Sequence, residues 1–246
     1  MKRQRLNWQE KVRKNMRKIM DFEHVKAVFE EYLNGYDREN DKVKLKIVHT
    51  YGVIRCSEEI GRRMGLQAED MELAKLIALL HDIGRFEQLK RFNSFEADTM
   101  DHATYGVQVL FEEGMIRQFI EEDTWDDVIR TAIAKHSDYE LTGITDERTL
   151  LHARLIRDAD KLDNCRVKLE DAMETLLDLS ADEVGKYAIS PKVREDAFAG
   201  KCICSKDRRT PMDYWVSYVA YFYDLNFRET LDIVAEEQYV KRIIGR

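Results

Sequence analysis

The chain has 246 residues, 44% of them hydrophobic and 35% charged, which is enough apolar material for one sizeable core. A formal net charge of −7 and a pI near 5.5 exclude a general polyanion binder, which would carry basic excess over a whole domain. No stretch approaches the roughly 20 apolar residues of a membrane span, so neither a membrane nor a stable nucleic-acid partner is expected.

The N-terminus is basic (Lys2, Arg3, Arg5, Lys11, Arg13, Lys14, Arg17, Lys18) and lacks the apolar run of a secretory signal. Trp8, Val12, Met16 and Ile19 recur there at helical spacing, predicting a helix over 8–34 that packs this stripe on the domain. Further helices are predicted over 42–64, 69–82, 101–113, 124–137, 147–179 and 211–224, because apolar residues return every three or four positions. Only Pro191 and Pro211 interrupt the pattern, which gives an all-α fold in a single domain spanning 1–246. Gly65, Gly84, Gly114 and Gly143 fall near the ends of periodic runs, where a residue tolerant of positive φ closes a helix. Segments 85–100 and 191–210 are poorly periodic and read as loops near a site. Cys56, Cys165, Cys202 and Cys204 match no standard zinc spacing and read as reduced thiols, consistent with a cytoplasmic address.

Three histidines lie on apolar stripes, where an unpaired imidazole is costly to bury. His49 shares a face with Leu45, Val53 and Cys56, His136 with Ile129 and Ile133, and His102 with Tyr105, Gly106 and Val109. Any one alone reads as a core histidine bonded to a carbonyl; the set points to a metal. His81 and Asp82 end the run AEDMELAKLIALLHDIG, an apolar helix closing on an imidazole, a carboxylate and then Gly84. Adjacent side chains diverge by about 100° on a helix, so both reach one ion only at a helix end. An acid at a helix C-terminus also opposes the macrodipole unless a cation compensates it. Asp160, in LLHARLIRDADKLDN, falls on the face marked by Ala153, Ile156 and Val167, where a carboxylate must be paired, protonated or cation-bound. Asp158 is read as a surface residue on the other side. Asp163 and Asn164 are read either as supports or substrate contacts of the site, or as plain helix surface.

Two imidazoles and two carboxylates from three helices suit a divalent ion (Mn, Fe, Co, Ni, Zn or Mg) with positions left open for water and substrate. The predicted chemistry is metal-assisted hydrolysis. No G-x-S-x-G elbow, P-loop or dinucleotide glycine pattern competes.

The order His49, then His81 and Asp82 in LLHDIGRF, then Asp160 in DADKLDN resembles the HD-domain metal-dependent phosphohydrolase superfamily over approximately residues 40–170. The resemblance implies a helical-bundle core with His49, His81, Asp82 and Asp160 as ligands of one divalent ion. His102 and His136 stand where two-metal branches carry further histidines. They would either complete a second ion bridged by Asp82, or bond the phosphate or act as general acid in a one-metal enzyme. The paired histidines and glycine-tyrosine-proline motif of the cyclic-dinucleotide branch are missing, since His136 precedes Ser137 and Asp138.

Arg85, directly after this run, is the expected phosphate clamp, given the fork geometry of guanidinium. Asp82, His102, His136 and Arg85 form the expected catalytic set, and Arg85, Lys161 and Asp163 the expected substrate contacts. Lys135, Arg208 and Arg209 are weaker candidates, since such residues are commonly solvated. Trp215, Val219 and Phe222 read as core packing rather than a base-stacking wall. The expected function is hydrolysis of a phosphate ester or anhydride in a nucleotide or other small phosphorylated metabolite. The alternative is a non-enzymatic metal-containing ligand-binding or sensor module, against which stands the rule that structural sites close their shell with four Cys or His ligands.

Overall fold

A computed structural model describes residues 20–96 and 98–246, so the stripe of Trp8, Val12, Met16 and Ile19 lies outside the described residues. Among the described residues every regular element is helical: α1 (Phe22–Leu33), α2 (Asp41–Met64), α3 (Ala68–Leu80), α4 (Ile83–Phe92), α5 (His102–Val107), α6 (Ile116–Phe119), α7 (Asp126–Lys135), α8 (Glu147–Glu170), α9 (Met173–Leu177), α10 (Ala181–Val184), α11 (Pro191–Phe198), α12 (Pro211–Ala220), α13 (Arg228–Glu236) and α14 (Tyr239–Ile244). None of them is long and apolar enough to cross a membrane.

The two 24-residue helices, α2 and α8, pack on each other, with α3 laid against both and α7 against α8. Each long helix begins at a side-chain cap that satisfies otherwise orphaned amides: Asn40 accepts from the Lys42 and Val43 amides, and Asp146 from that of Thr149. Gly65 ends α2 at φ 71°, where a side chain would be strained. In α3, Leu76, Ile77, Ala78, Leu79 and Leu80 are all buried, so the last turn and a half is surrounded rather than one-sided. Phe29, Val53, Ile60, Phe86, Ile129, Ile133, Ala153 and Ile156 close around it. Full burial of each large side chain contributes about 2 kcal/mol.

Several boundaries differ from the periodicity. Residues 83–92 form a helix rather than a loop, because Gly84 lets α4 lie almost on α5: a Cβ there would stand 2.2 Å from the His102 carbonyl oxygen. Gly84 therefore serves close approach, whereas Gly65, Gly114 and Gly143 do take positive φ. Residues 191–198 are also helical, with Pro191 in the first turn where its missing amide costs nothing. The predicted helix over 147–179 ends at Glu170, where Asp171 becomes extended, and α9 follows as a separate turn.

The largest correction concerns Asp158, which is fully buried rather than at the surface. Its carboxylate accepts from the Asn226 amide (2.9 Å) and side chain (2.8 Å), the Phe227 amide (3.0 Å) and the Thr230 hydroxyl (2.8 Å), holding the start of α13 against α8. Removing it would leave buried donors unpaired. Asp158→Ala is expected to lower stability by about 2–4 kcal/mol, measured as a shift of the urea-unfolding midpoint by circular dichroism.

Candidate metal centre

The side chains singled out in the sequence converge where α3 runs out. His81 and Asp82 link α3 to α4, His49 comes from the middle of α2, Asp160 from the middle of α8, His102 opens α5, and His136 follows α7. His49, His81, Asp82, His102 and His136 are buried, and Asp160 keeps partial access to solvent. The dipole argument for Asp82 weakens, because this residue also stands at the N-cap of α4, where an acid is favoured. Convergence of donors carries the site instead.

The imidazoles are oriented from behind. His81 and His136 each place Nδ1 2.7 Å from a carbonyl oxygen, of Ala78 and Ile133 respectively. A carbonyl only accepts, so these nitrogens carry the proton and, in the neutral rings, Nε2 offers a lone pair to the site. Among the described residues the buried Nε2 of His81 has no hydrogen-bond partner. His102 Nε2 accepts from Arg85 at 2.9 Å and lies 3.1 Å from His136 Nε2, so with His136 neutral two lone pairs face each other. His49 places Nδ1 2.8 Å from Asp163 and Nε2 3.0 Å from Asp160.

Electrostatics fix the charge states. Burial holds His81 down at about 4 and, with the charge of Arg85, His102 at about 3, so both rings are neutral near neutral pH. For Asp82 burial opposes ionisation but is overcome by Lys46, whose ammonium sits 2.6 Å from Oδ2, and by His81, so its pKa falls well below the usual range. Burial likewise opposes ionisation of Asp160 and is overcome by His49, then His81 and Lys46.

Two sets of donors could each hold a cation: His49, His81 and Asp160, and Asp82, His102 and His136, with the ligating atoms of each set within 4.8 Å of one another. Asp82 faces both. Its Oδ2 is 3.5 Å from His81 Nε2, while Oδ1 is 3.2 Å from His102 Nε2 and 3.7 Å from His136 Nε2. The unpartnered Nε2 of His81 and the facing nitrogens of His102 and His136 fit divalent ions, since among the described residues no hydrogen bond reaches His81 Nε2 and Arg85 is the donor that reaches His102 Nε2.

Around this centre, Arg85 Nε is 3.7 Å from Asp82 Oδ1 and, among the described residues, has no hydrogen-bond partner. Asp163 stands behind His49 and also accepts from Arg166 at 2.8 Å, so it supports a donor rather than facing outward. Lys161 is engaged by Asp224 at 2.6 Å, Lys135 lies near Asp138 at the surface, and Arg208 rides over the Tyr214 ring. Trp215, Val219 and Phe222 are half-buried. Sequence reasoning missed Lys46, which sits one turn before His49 and so on the same face. It also missed Arg157, whose guanidinium donates to the carbonyls of Lys135, His136 and Asp138 and fixes the segment carrying His136.

Gly52 permits the His49–Asp163 contact, because a Cβ there would fall 1.9 Å from Asp163 Oδ1. Gly52→Ala should displace Asp163 from His49 and weaken divalent-ion binding about 10- to 100-fold, the usual cost of losing a ligand's orienting carboxylate; competition against a chelating dye would measure it.

Comparison with known proteins agrees with this geometry. The HD domain family matches residues 47–165, a segment that contains all six converging side chains. A similar protein is Ribonuclease Y of Acetivibrio thermocellus, 29% identical over 165 residues, which is 64% of this chain and 27% of that protein. The chain thus spans about a quarter of the relative's length. No solved structure matches the chain significantly. Residues 47–165 are thus similar to the HD domain family.

Proposed function

We propose that this chain is a phosphohydrolase that cleaves an ester or anhydride bond of a nucleotide or other small phosphorylated metabolite at a two-ion centre. His49, His81 and Asp160 would hold one ion, His102 and His136 the other, with Asp82 shared between them. The observation that carries this reading is the placement of the two Asp82 oxygens, one toward His81 and the other toward His102 and His136. Divalent ions bound there would lower the pKa of water, polarise a phosphoryl oxygen and offset charge in the transition state.

The chain's own residues do the rest. Lys46 keeps Asp82 ionised, and Asp163 fixes the ring of His49 through Nδ1. The Nε–H of Arg85, 3.7 Å from Asp82 Oδ1 and without a hydrogen bond among the described residues, would donate to a phosphoryl oxygen, beside the guanidinium nitrogen that serves His102. Each donor set has three members and therefore an open shell, which favours catalysis over a closed structural site. The net charge of −7 favours a small substrate over a long polyanion, although the likeness to Ribonuclease Y makes an RNA oligomer a necessary member of any panel.

The test is elemental analysis of protein purified without chelator, followed by turnover of p-nitrophenyl phosphate, its bis ester, nucleotides and an RNA oligomer with metals supplied one at a time. Turnover should vanish on chelation and return with metal. Asp82→Ala should reduce it to background and lower metal content with helicity intact, whereas His136→Ala should lower stoichiometry from about two ions to one. Absence of turnover with every metal would favour the sensor module instead.

A further inference from the structure

Arg85, in the first turn of α4, has a guanidinium whose two sides are employed differently. Nη1 is anchored: it donates to Gln88 Oε1 at 2.5 Å and to the Phe95 carbonyl at 3.2 Å. Gln88 is fully buried, and its amide nitrogen donates to the Glu96 carbonyl and the Thr99 hydroxyl, each at 2.8 Å. A carbonyl only accepts, so the Gln88 amide has one orientation and its oxygen is left for Arg85. The opposite edge of the guanidinium, Nη2 and Nε, faces the metal centre. Nη2 donates to His102 Nε2 at 2.9 Å, and Nε, which has no hydrogen bond among the described residues, stands 3.7 Å from Asp82 Oδ1.

That edge addresses two of the three donors in the set Asp82, His102 and His136. A guanidinium has donors only and stays protonated, so His102 Nε2 is the bare nitrogen of its ring. Its single lone pair is the one a metal ion would take. A hydrogen bond of 2.9 Å and a metal–imidazole bond of about 2.1 Å cannot share one lone pair. Among the described residues no Lys or Arg donates to His49, His81 or Asp160, so the other donor set carries no such competitor.

We propose that the Nη2–Nε edge of Arg85 is the resident cation of the second donor set, that it competes with the second ion for His102 Nε2, and that it turns to a phosphoryl group once that ion is bound. The proposal rests on the two-ion reading of the same site and deepens it. With the His102 lone pair given to an ion, Nη2–H joins the buried Nε–H in lacking an acceptor, while Nη1 stays held by Gln88 and Phe95. Two N–H groups on one edge match two oxygens of a phosphoryl group. The second ion and the phosphoryl group therefore favour each other's binding, by the same factor in both directions. The first ion alone leaves Arg85 where it is.

Two measurements on the whole chain, stripped of metal and titrated with Zn, decide the matter. In calorimetry Arg85→Met should tighten the second ion roughly tenfold or more, the effect of one charge-assisted hydrogen bond no longer opposing it, and change the first by less than about threefold. Arg85→Gln serves the same comparison if the Met variant fails to fold. One ion on the wild type and two on Arg85→Met would be the same result in its extreme form. In NMR of the wild type with isotope-labelled arginine, solvent exchange of the Arg85 Nη2 protons should hold steady over the first equivalent of Zn, quicken over the second, and slow again as methylphosphonate is added. Charge repulsion alone would also tighten the ion in Arg85→Met, but it leaves the bond to His102 intact, so exchange unchanged over the second equivalent would overturn the competition. Exchange that methylphosphonate does not slow would overturn the turn to phosphate. Two ions of unchanged affinity in Arg85→Met would refute the proposal and leave the two-ion centre standing, whereas one ion on both proteins would remove that centre as well.

Discussion

The contact on which this molecule turns is the 2.6 Å pairing of Lys46 with Asp82 at the end of α3. Asp82 is 2% exposed, in a place where a lone carboxylate would protonate to avoid the cost of burial. Lys46 keeps it charged, and a charged Asp82 gives the imidazoles on either side something to converge on. The apolar run from Leu76 to Leu80 is what puts the pair there, since a helix surrounded by hydrocarbon delivers its terminal residues into a dry interior. In such surroundings each charge acts more strongly than it would in water.

The same dryness explains how the histidines satisfy two demands together. His81 and His136 are core histidines bonded to carbonyls of the preceding turn, and they are candidate ligands as well, because an imidazole has two faces. One nitrogen satisfies the interior while the other is held toward the site with its tautomer fixed. The bland reading and the chemical one describe opposite edges of a single ring.

Much of the convergence was legible because polar side chains on apolar stripes break burial rules. Imidazoles and carboxylates on apolar stripes are conflicts between local pattern and chemistry, and such conflicts mark functional sites. His49, His102, His136 and Asp160 stood out in that way, and His81 and Asp82 as the end of an apolar helix. What stayed hidden follows from the same physics. Lys46 and Lys168 are of a residue type that is almost always solvated, so nothing in the sequence announces their burial. α4 was invisible as a helix because Gly84 there serves contact with α5 and interrupts the periodicity. Asp158 was misplaced because the far side of a helix was taken to be solvent, whereas the start of α13 covers α8 there.

That last point reaches beyond one residue. Along α8, Arg157 clamps the segment that carries His136, Asp158 holds the start of α13, Asp160 faces His49, Asp163 supports His49 from behind, Asn164 donates to Asp160, and Lys168 turns toward Tyr218. These positions spread over more than half of the circumference, because one residue advances about 100°. A helix so employed cannot show one polar face and one apolar face. The absence of clean amphipathicity in a long, buried helix therefore carries information: its polar residues are each matched to a partner on a different neighbour, and a change at any of them is felt in a different part of the site.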